Sequence, residues 1–442
     1  MHLKISRRHS STANKFSASA PAVSVGTPEE SESTLVAAET AEVAIQRLRR
    51  PSRELLTTGA LVNAGLAASS IFVSLYFYVS SSGSITKMAL FAFGRYGGLI
   101  VMSVAVAGAF PEVAPRKLLR AGVAVTGIFY LSLIVLGHHA TSLALPLGVF
   151  NGAAQGVYWF GVNTLIYDIV ESDERGRYYG FNFAFLNVVN VVGPFGAGLV
   201  IAAIGGVAGY FAVFAASSAA FAMAFLVSRR LRDTAGIGGV PVREALRLPW
   251  TQPDWGRIWT LVAFRGFKQT AGALGLIVLV ALTTSSSAAQ GEFAAASALA
   301  GVGTSILAGK VSPDRRGQVM WVGAGAFVVA TGLLFHAGLA SLLAYGIVTG
   351  LVYPAVMVPV ASVILEAMDT DPLVNERRGG YVLSREIAVN VGRLGAVALL
   401  LVLLNIASAR MAVLVTVGVA AVLQLAVAGL ATGSPVRSKQ FA

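Results

Sequence analysis

The sequence predicts an all-α membrane protein with twelve transmembrane helices in two related six-helix bundles. Three observations predict this class: 55% of the 442 residues are hydrophobic, only 12% are charged, and long apolar runs recur along the chain. Soluble domains carry about 25% charged residues, so about half of the usual solvating charge is missing. The chain contains no cysteine, which excludes thiol catalysis, iron–sulfur clusters and cysteine-ligated zinc.

The apolar runs have the length of membrane-spanning helices. A bilayer core about 30 Å thick requires roughly 20 helical residues at about 1.5 Å each. Twelve runs of that length are separated by polar residues, and they predict spans at 55–79, 86–109, 117–138, 142–168, 180–203, 206–228, 257–282, 291–310, 318–337, 341–366, 381–404 and 407–431.

The distribution of basic residues predicts the orientation. Of the 33 Lys and Arg residues, only Lys87 and Arg410 lie on one side of the predicted membrane, five fall within spans, and the remaining 26 lie on the other side. Positively charged loops face the cytoplasm, so we expect an inner-membrane protein with both termini cytoplasmic. This placement accounts for the net charge of +12 and leaves no support for nucleic-acid binding.

Polar segments divide the chain into five parts. Residues 1–54 are predicted to form a disordered cytoplasmic tail with a basic segment beside the membrane, because they are rich in Ser, Ala and Thr and contain no long apolar run. Residues 229–256 are predicted to be a cytoplasmic linker. The two bundles are then 55–228 and 257–431, followed by a short cytoplasmic tail at 432–442.

The two halves carry matching residues about 200 positions apart, as a duplicated chain does. The serines at 80–82 match those at 285–287, and Asn190 in span five matches Asn390 in span eleven. Because these pairs occur in the same order in both halves, they indicate duplication of a six-helix unit.

Two loops and one helix carry recognisable motifs. GAFPEVAPRK, between spans two and three, is similar to the pattern Gly-x-Leu-x-Asp-x-x-Gly-Arg-Lys, with Glu112 in place of Asp and Pro115 in place of the second Gly. A more degraded copy, GKVSPDRRG, follows span eight. The matching residues are Gly108, Glu112, Arg116 and Lys117 in the first loop and Asp314 and Arg315 in the second. Span five contains GPFGAG, which is similar to Gly-Pro-x-x-Gly-Gly. Together these motifs resemble those of the major facilitator superfamily of secondary transporters.

The resemblance implies a monomeric two-bundle transporter that works by alternating access, without a cofactor and without enzymatic activity. It also implies that the charged loops stabilise the state that is closed on the cytoplasmic side, where acidic and basic side chains pair with helix ends. The arginine that drug/proton antiporters carry in span four is absent, so the subfamily stays open.

Four cations fall near the middle of predicted spans, where a charge facing lipid costs about 2.5–3.5 kcal/mol. These are Arg95, Arg265, Lys268 and Arg393. No carboxylate is predicted at that depth, and Glu386, near the cytoplasmic end of span eleven, is the candidate for coupling to protons. A positive interior attracts anions, so the predicted cargo is a small or amphipathic anionic solute.

Uncharged polar residues outline the same predicted pathway. Asn151, Gln155 and Trp159 recur every four residues in span four and therefore share one helix face. The other pathway candidates, all in the second half, are Gln269, Tyr353 and Asn390.

Two alternatives stay open. In one, the cargo is a hydrophobic drug or lipid, and aromatic residues matter more than cations; in the other, the protein is a membrane sensor or assembly factor that moves nothing. The sequence has no Walker-type phosphate loop, paired dinucleotide glycine motif or metal-spaced histidine cluster, so we expect no ATP-driven transport. The expected partners are a solute and membrane lipids.

Overall fold

The computed structural model describes residues 48–109, 113–171, 175–232, 242–284, 286–309, 315–336, 338–369, 371 and 374–433. Within these residues the chain forms thirteen α-helices and one short 3-10 helix, Gly137–Leu143. The helices are α1 (Arg50–Ser80), α2 (Ile85–Ala109), α3 (Pro115–Leu136), α4 (Ala144–Ile169), α5 (Arg175–Ile204), α6 (Gly206–Ser228), α7 (Val242–Thr251), α8 (Pro253–Thr284), α9 (Ser287–Gly309), α10 (Arg316–Leu333), α11 (Leu339–Asp369), α12 (Val374–Leu403) and α13 (Ala409–Thr432).

Twelve of these helices correspond to the predicted spans, and the short α7 lies in the predicted linker. Several helices extend beyond their apolar runs. The largest difference is at α12, which begins at Val374 rather than at residue 381. Hydropathy marks only the apolar part of a helix, whereas the backbone continues in helical form through the polar residues before it.

Nine ranges of the described chain are long and apolar enough to cross a membrane. One of them, Pro115–Ile166, contains both α3 and α4. The ranges leave out α9, which carries Gln290 and Glu292 near its start, and α10, which has 18 residues and begins with Arg316. The structure confirms an all-helical membrane protein and is consistent with twelve crossings.

Helices α1–α6 and α8–α13 form two sets that repeat one packing pattern. In the first set α2 packs on α4, α1 on α5 and α6, and α3 on α4 and α6. In the second set the corresponding pairs are α9 with α11, α8 with α12 and α13, and α10 with α11 and α13. The two sets meet where α5 packs on α9 and α2 packs on α12. These two contacts are equivalent under the two-fold relation that duplication predicts.

The two contacts between the sets differ in chemistry. The contact of α5 with α9 is made by small residues: a Cβ on Gly198 would lie 2.9 Å from the Ser287 carbonyl oxygen, and one on Gly291 would lie 2.5 Å from the Pro194 oxygen. Where α2 packs on α12, the side chains of Ala107, Leu383 and Ile387 instead form a buried apolar cluster.

Candidate functional site

A cavity of about 570 Å³ lies between the two sets, within the range of about 300–1,000 Å³ that is typical of small-molecule sites. Helices α1, α2, α4, α5, α8 and α12 line it. Its charged lining residues are Arg95, Arg265, Arg385, Arg393 and Glu386, and its neutral amide or hydroxyl residues are Asn63, Ser70, Gln155, Asn163, Asn190 and Gln269.

The charge of this lining is unevenly distributed. Among the described lining residues, α8 and α12 contribute three arginines and Glu386, whereas α1, α4 and α5 contribute amides and a hydroxyl. Arg95 on α2 is the cation from the first set. Four guanidinium groups and one carboxylate leave the lining with a net charge of +3, and one wall is cationic while the opposite wall is neutral and polar.

A chain of amide groups holds Arg95 at the cavity. Its guanidinium donates to Gln155 Oε1 at 3.0 Å, and Gln155 Nε2 donates to Asn151 Oδ1 at 2.9 Å. Asn151 is buried, so it supports Gln155 from behind and does not line the cavity. The predicted polar face of span four therefore separates into a supporting residue, Asn151, and two lining residues, Gln155 and Trp159.

Glycines bring α2 and α4 close enough for this hydrogen bond. A Cβ on Gly152 would overlap the Arg95 carbonyl oxygen, and one on Gly148 would overlap that of Phe91. The backbones of the two helices are therefore in direct contact beside Arg95 and Gln155. The sequence signal for this contact is the four-residue spacing of Gly148 and Gly152, a known pattern of close helix packing in membranes.

The second set fixes Arg393 in the same manner. The guanidinium donates to Gln269 Oε1 at 2.9 Å and to Asn390 Oδ1 at 3.0 Å. Asn390 is fully buried and donates in turn to the Glu386 backbone carbonyl at 2.8 Å. A Cβ on Gly392 would overlap the Ala263 carbonyl oxygen, so close backbone contact between α12 and α8 brings Arg393 to Gln269.

Tyr96 joins the two arginines across the interface between the sets. The Arg393 Cζ atom lies 5.4 Å from the centroid of the Tyr96 ring, and the Arg95 Cζ atom lies 6.0 Å from it. The face of an aromatic ring attracts a guanidinium group at such distances. Sequence analysis did not select Tyr96, because a single tyrosine in an apolar span has no distinguishing pattern.

Glu386 lies in the cavity together with the cations. Its Oε1 atom accepts a hydrogen bond from Arg385 at 2.9 Å. This corrects the expectation that no carboxylate accompanies the cations. The reason is the early start of α12, which places Glu386 well inside the helix and not near its end.

Lys268 and Tyr353 lie outside this cavity lining. The Lys268 Nζ atom is 4.5 Å from the ring centroid of Phe327 on α10 and 5.4 Å from that of Tyr353 on α11, and the side chain is buried. Successive helical residues are about 100° apart, so Lys268 projects to one side of Gln269, toward α10 and α11. The expectation that Lys268 shares the cavity with the three arginines is therefore corrected.

The first motif loop contacts its own helix set. The Arg116 guanidinium donates to the Leu231 carbonyl at 2.6 Å, and Arg120 donates to the Ser228 carbonyl at 2.8 Å. The Ser228 carbonyl is at the C-terminal end of α6, where partial negative charge accumulates and favours cations, and Leu231 lies in the turn three residues further on. The predicted pairing with helix ends thus involves a helix of the same set.

The remaining motif residues are less constrained. Lys117 and Arg315 are exposed, and a Cβ on Gly108 would lie 3.0 Å from Val242 on α7. Glu112 and Asp314 lie outside the described residues.

The fold and the cavity together define a class of protein: a helical membrane protein with a solute-sized polar cavity between two related halves. Residues 55–372 match the model of the Major Facilitator Superfamily, and the chain belongs to that superfamily. It is therefore a secondary membrane transporter and not an enzyme, as the sequence predicted.

The chain is similar to one bacterial protein along most of its length and to several solved transporters in fold. It is 27% identical over 346 residues to "Uncharacterized protein YqgE" of Bacillus subtilis (strain 168), covering 77% of this chain and 79% of that protein. The nucleoside transporter NupG has a TM-score of 0.64 at 11% identity, covering 86% of this chain and 99% of NupG. A bacterial homologue of the iron transporter ferroportin, in an inward-facing state, has a TM-score of 0.64 at 13% identity, covering 86% and 98%.

Proposed function

We propose that the protein transports a small anionic solute through the cavity between its two helix sets by alternating access. The observation that carries this proposal is the net charge of +3 on the described lining, with four guanidinium groups and one carboxylate. A cavity of one sign within low-dielectric walls concentrates ions of the opposite sign. Arginine also binds carboxylate and phosphate groups through two parallel hydrogen bonds.

The division of the lining indicates how the solute is oriented. The anionic group would bind Arg265 and Arg393 on the cationic wall, together with Arg95. The neutral, hydrogen-bonding part would face the amides of α1, α4 and α5, beside Trp159. Asn151 and Asn390 would act through the side chains that they hold. Lys268, beside the ring of Tyr353, would contribute to the positive potential from outside the lining.

Glu386 is the group that we assign to coupling. In the structure it is the anion that accompanies Arg385, so an arriving solute would compete with it for guanidinium donors. Neutralising Glu386 would raise the net charge of the described lining from +3 to +4 and strengthen solute binding. Binding of a proton would then favour binding of an anion, and the reverse, which would allow symport of the two. The alternative is exchange, in which two anions bind the same cations in turn.

Alternating access would use the two contacts between the sets. The α2–α12 contact contains Ala107 and Leu383, and we place it on the cytoplasmic side, next to the loop with Gly108, Arg116 and Lys117. The contact of α5 with α9 would then close the opposite side through Gly198 and Gly291. We propose that the protein lies in the inner membrane with both termini in the cytoplasm.

Counterflow in proteoliposomes tests the proposal. Vesicles loaded with an unlabelled organic anion should accumulate the same anion in labelled form. Arg393→Ala or Arg265→Ala should abolish this accumulation. The control Arg230→Ala, an exposed residue just after α6, should not. Transport of neutral dyes that is unaffected by Arg393→Ala would favour the hydrophobic-cargo alternative. Absence of counterflow for both classes of solute would favour the sensor alternative.

A further inference from the structure

The linker helix α7 has two faces of different character. On one face Ala245 and Leu248 are buried, with 0% and 2% of their surface exposed. On the opposite face Leu246 and Trp250 are 44% and 80% exposed. Arg243, Leu246, Arg247 and Trp250 form what we call the outer face of α7, and Thr251, at the end of the helix, is also exposed.

The buried face fixes α7 at the membrane boundary. Ala245 belongs to the apolar cluster of Ala107, Leu383 and Ile387, so α7 touches the place where α2 meets α12. It also contacts the start of α8. Ala107 lies in the last turn of α2, and α7 is therefore level with the ends of the spanning helices, where the bilayer meets water.

The outer face has the composition of a helix that lies in a membrane surface. Residues 243, 246, 247 and 250 fall within an arc of about 100°, since successive helical residues are about 100° apart. Trp and Leu partition into the boundary between headgroups and acyl chains, and arginines on the same helix pair with phosphate groups. An exposed tryptophan and leucine beside two arginines, at this level, complement an anionic lipid surface in both charge and polarity.

We propose that the outer face of α7 binds the headgroups of anionic phospholipids in the membrane that surrounds the transporter. Leu246 and Trp250 enter the boundary region, while Arg243 and Arg247 bind lipid phosphates. Each arginine near an anionic surface strengthens binding roughly fivefold. Because α7 packs on the ends of both helix sets, bound lipid would hold it against the α2–α12 contact. This inference does not depend on the charge of the cargo.

The absence of cysteine allows a direct test on the full-length protein. A Leu246→Cys variant carries a single nitroxide label, and its accessibility to oxygen and to a water-soluble nickel complex reports depth in the bilayer. The variant is reconstituted in phosphatidylcholine vesicles with and without phosphatidylglycerol. We expect the label to move toward the acyl chains when phosphatidylglycerol is present. A label at Val329→Cys, on the 72% exposed surface of α10, should read the same depth in both vesicles.

Substitution of the arginines completes the test. Arg243→Gln with Arg247→Gln should weaken the affinity of the outer face for anionic lipid roughly 25-fold. This loss should remove the response to phosphatidylglycerol at the same vesicle composition. Arg229→Gln with Arg230→Gln, an exposed pair at the end of α6, is the matched control and should retain the response. A label depth that is identical in the two vesicles overturns the proposal. A response that persists without Arg243 and Arg247 overturns it as well.

Discussion

The close contact of α2 with α4 predicts that Gly152→Ala disrupts the site. A Cβ at this position would overlap the Arg95 carbonyl oxygen and lie 2.7 Å from its carbon. Non-bonded carbon atoms require about 3.5–4.0 Å, so the helices must separate by about 1 Å. Overpacking of this kind costs about 1–3 kcal/mol. The same movement stretches the 3.0 Å hydrogen bond from Arg95 to Gln155 toward about 4 Å, beyond hydrogen-bonding distance.

The measurement is the thermal midpoint of the purified protein in one detergent, followed by size-exclusion chromatography after heating. With an unfolding entropy of about 2.1 cal/mol/K per residue in a chain of 442 residues, the cost worked out above corresponds to a decrease of roughly 1–4 °C. Gly97→Ala is the control, because it lies on α2 and a Cβ there would meet no atom within 4 Å. If Gly152→Ala and Gly97→Ala both melt at the same temperature as the unsubstituted protein, the backbones of α2 and α4 are not in contact at Gly152.

Three further predictions concern the helix ends, the contact between the sets and the carboxylate. Arg120→Ala should lower the free energy of unfolding by about 1.5–3 kcal/mol, because its charged hydrogen bonds to the Ser228 carbonyl are lost. The thermal midpoint should therefore fall. The midpoint of the control variant, Lys117→Ala, should not. In a variant with Ala107→Cys and Leu383→Cys, a short cross-linker should join the two cysteines. The cross-link should stop transport. Transport that continues at full rate after cross-linking would contradict a moving α2–α12 contact. Glu386→Gln should lower the Kd for anions roughly tenfold, since the described lining gains one net positive charge; equilibrium binding at low salt measures this, and an unchanged or higher Kd would contradict it.

The sequence predicted much of the fold because apolar length and the positions of Lys and Arg report directly on the bilayer. It also selected Arg95, Arg265 and Arg393 for the cavity, because a charge in lipid is so unfavourable that such residues must face water or a partner. The four-residue spacing of span four selected Gln155 and Trp159, and both line the cavity, as does Gln269, one turn beyond Arg265.

The remaining features depend on how helices rotate and where they end, which one sequence does not specify. Lys268 is one residue before Gln269, yet it projects toward Phe327 and Tyr353. Glu386 was expected near a helix end, because hydropathy does not detect the polar first turns of α12. Tyr96 becomes significant only when packing of α2 on α12 brings Arg393 over its ring.

Solute pairs that share one shape and differ only in charge show directly whether the cavity binds anions. Each carboxylate or phosphate is paired with its neutral amide or alcohol, and binding is detected as a rise in the thermal midpoint of the purified protein. We expect only the charged members to raise the midpoint, and we expect high salt to weaken the effect. Arg265→Gln with Arg393→Gln should remove the effect, while Arg230→Gln should retain it. Equal shifts from neutral and charged members, unchanged in the double variant, would contradict an anion-binding cavity.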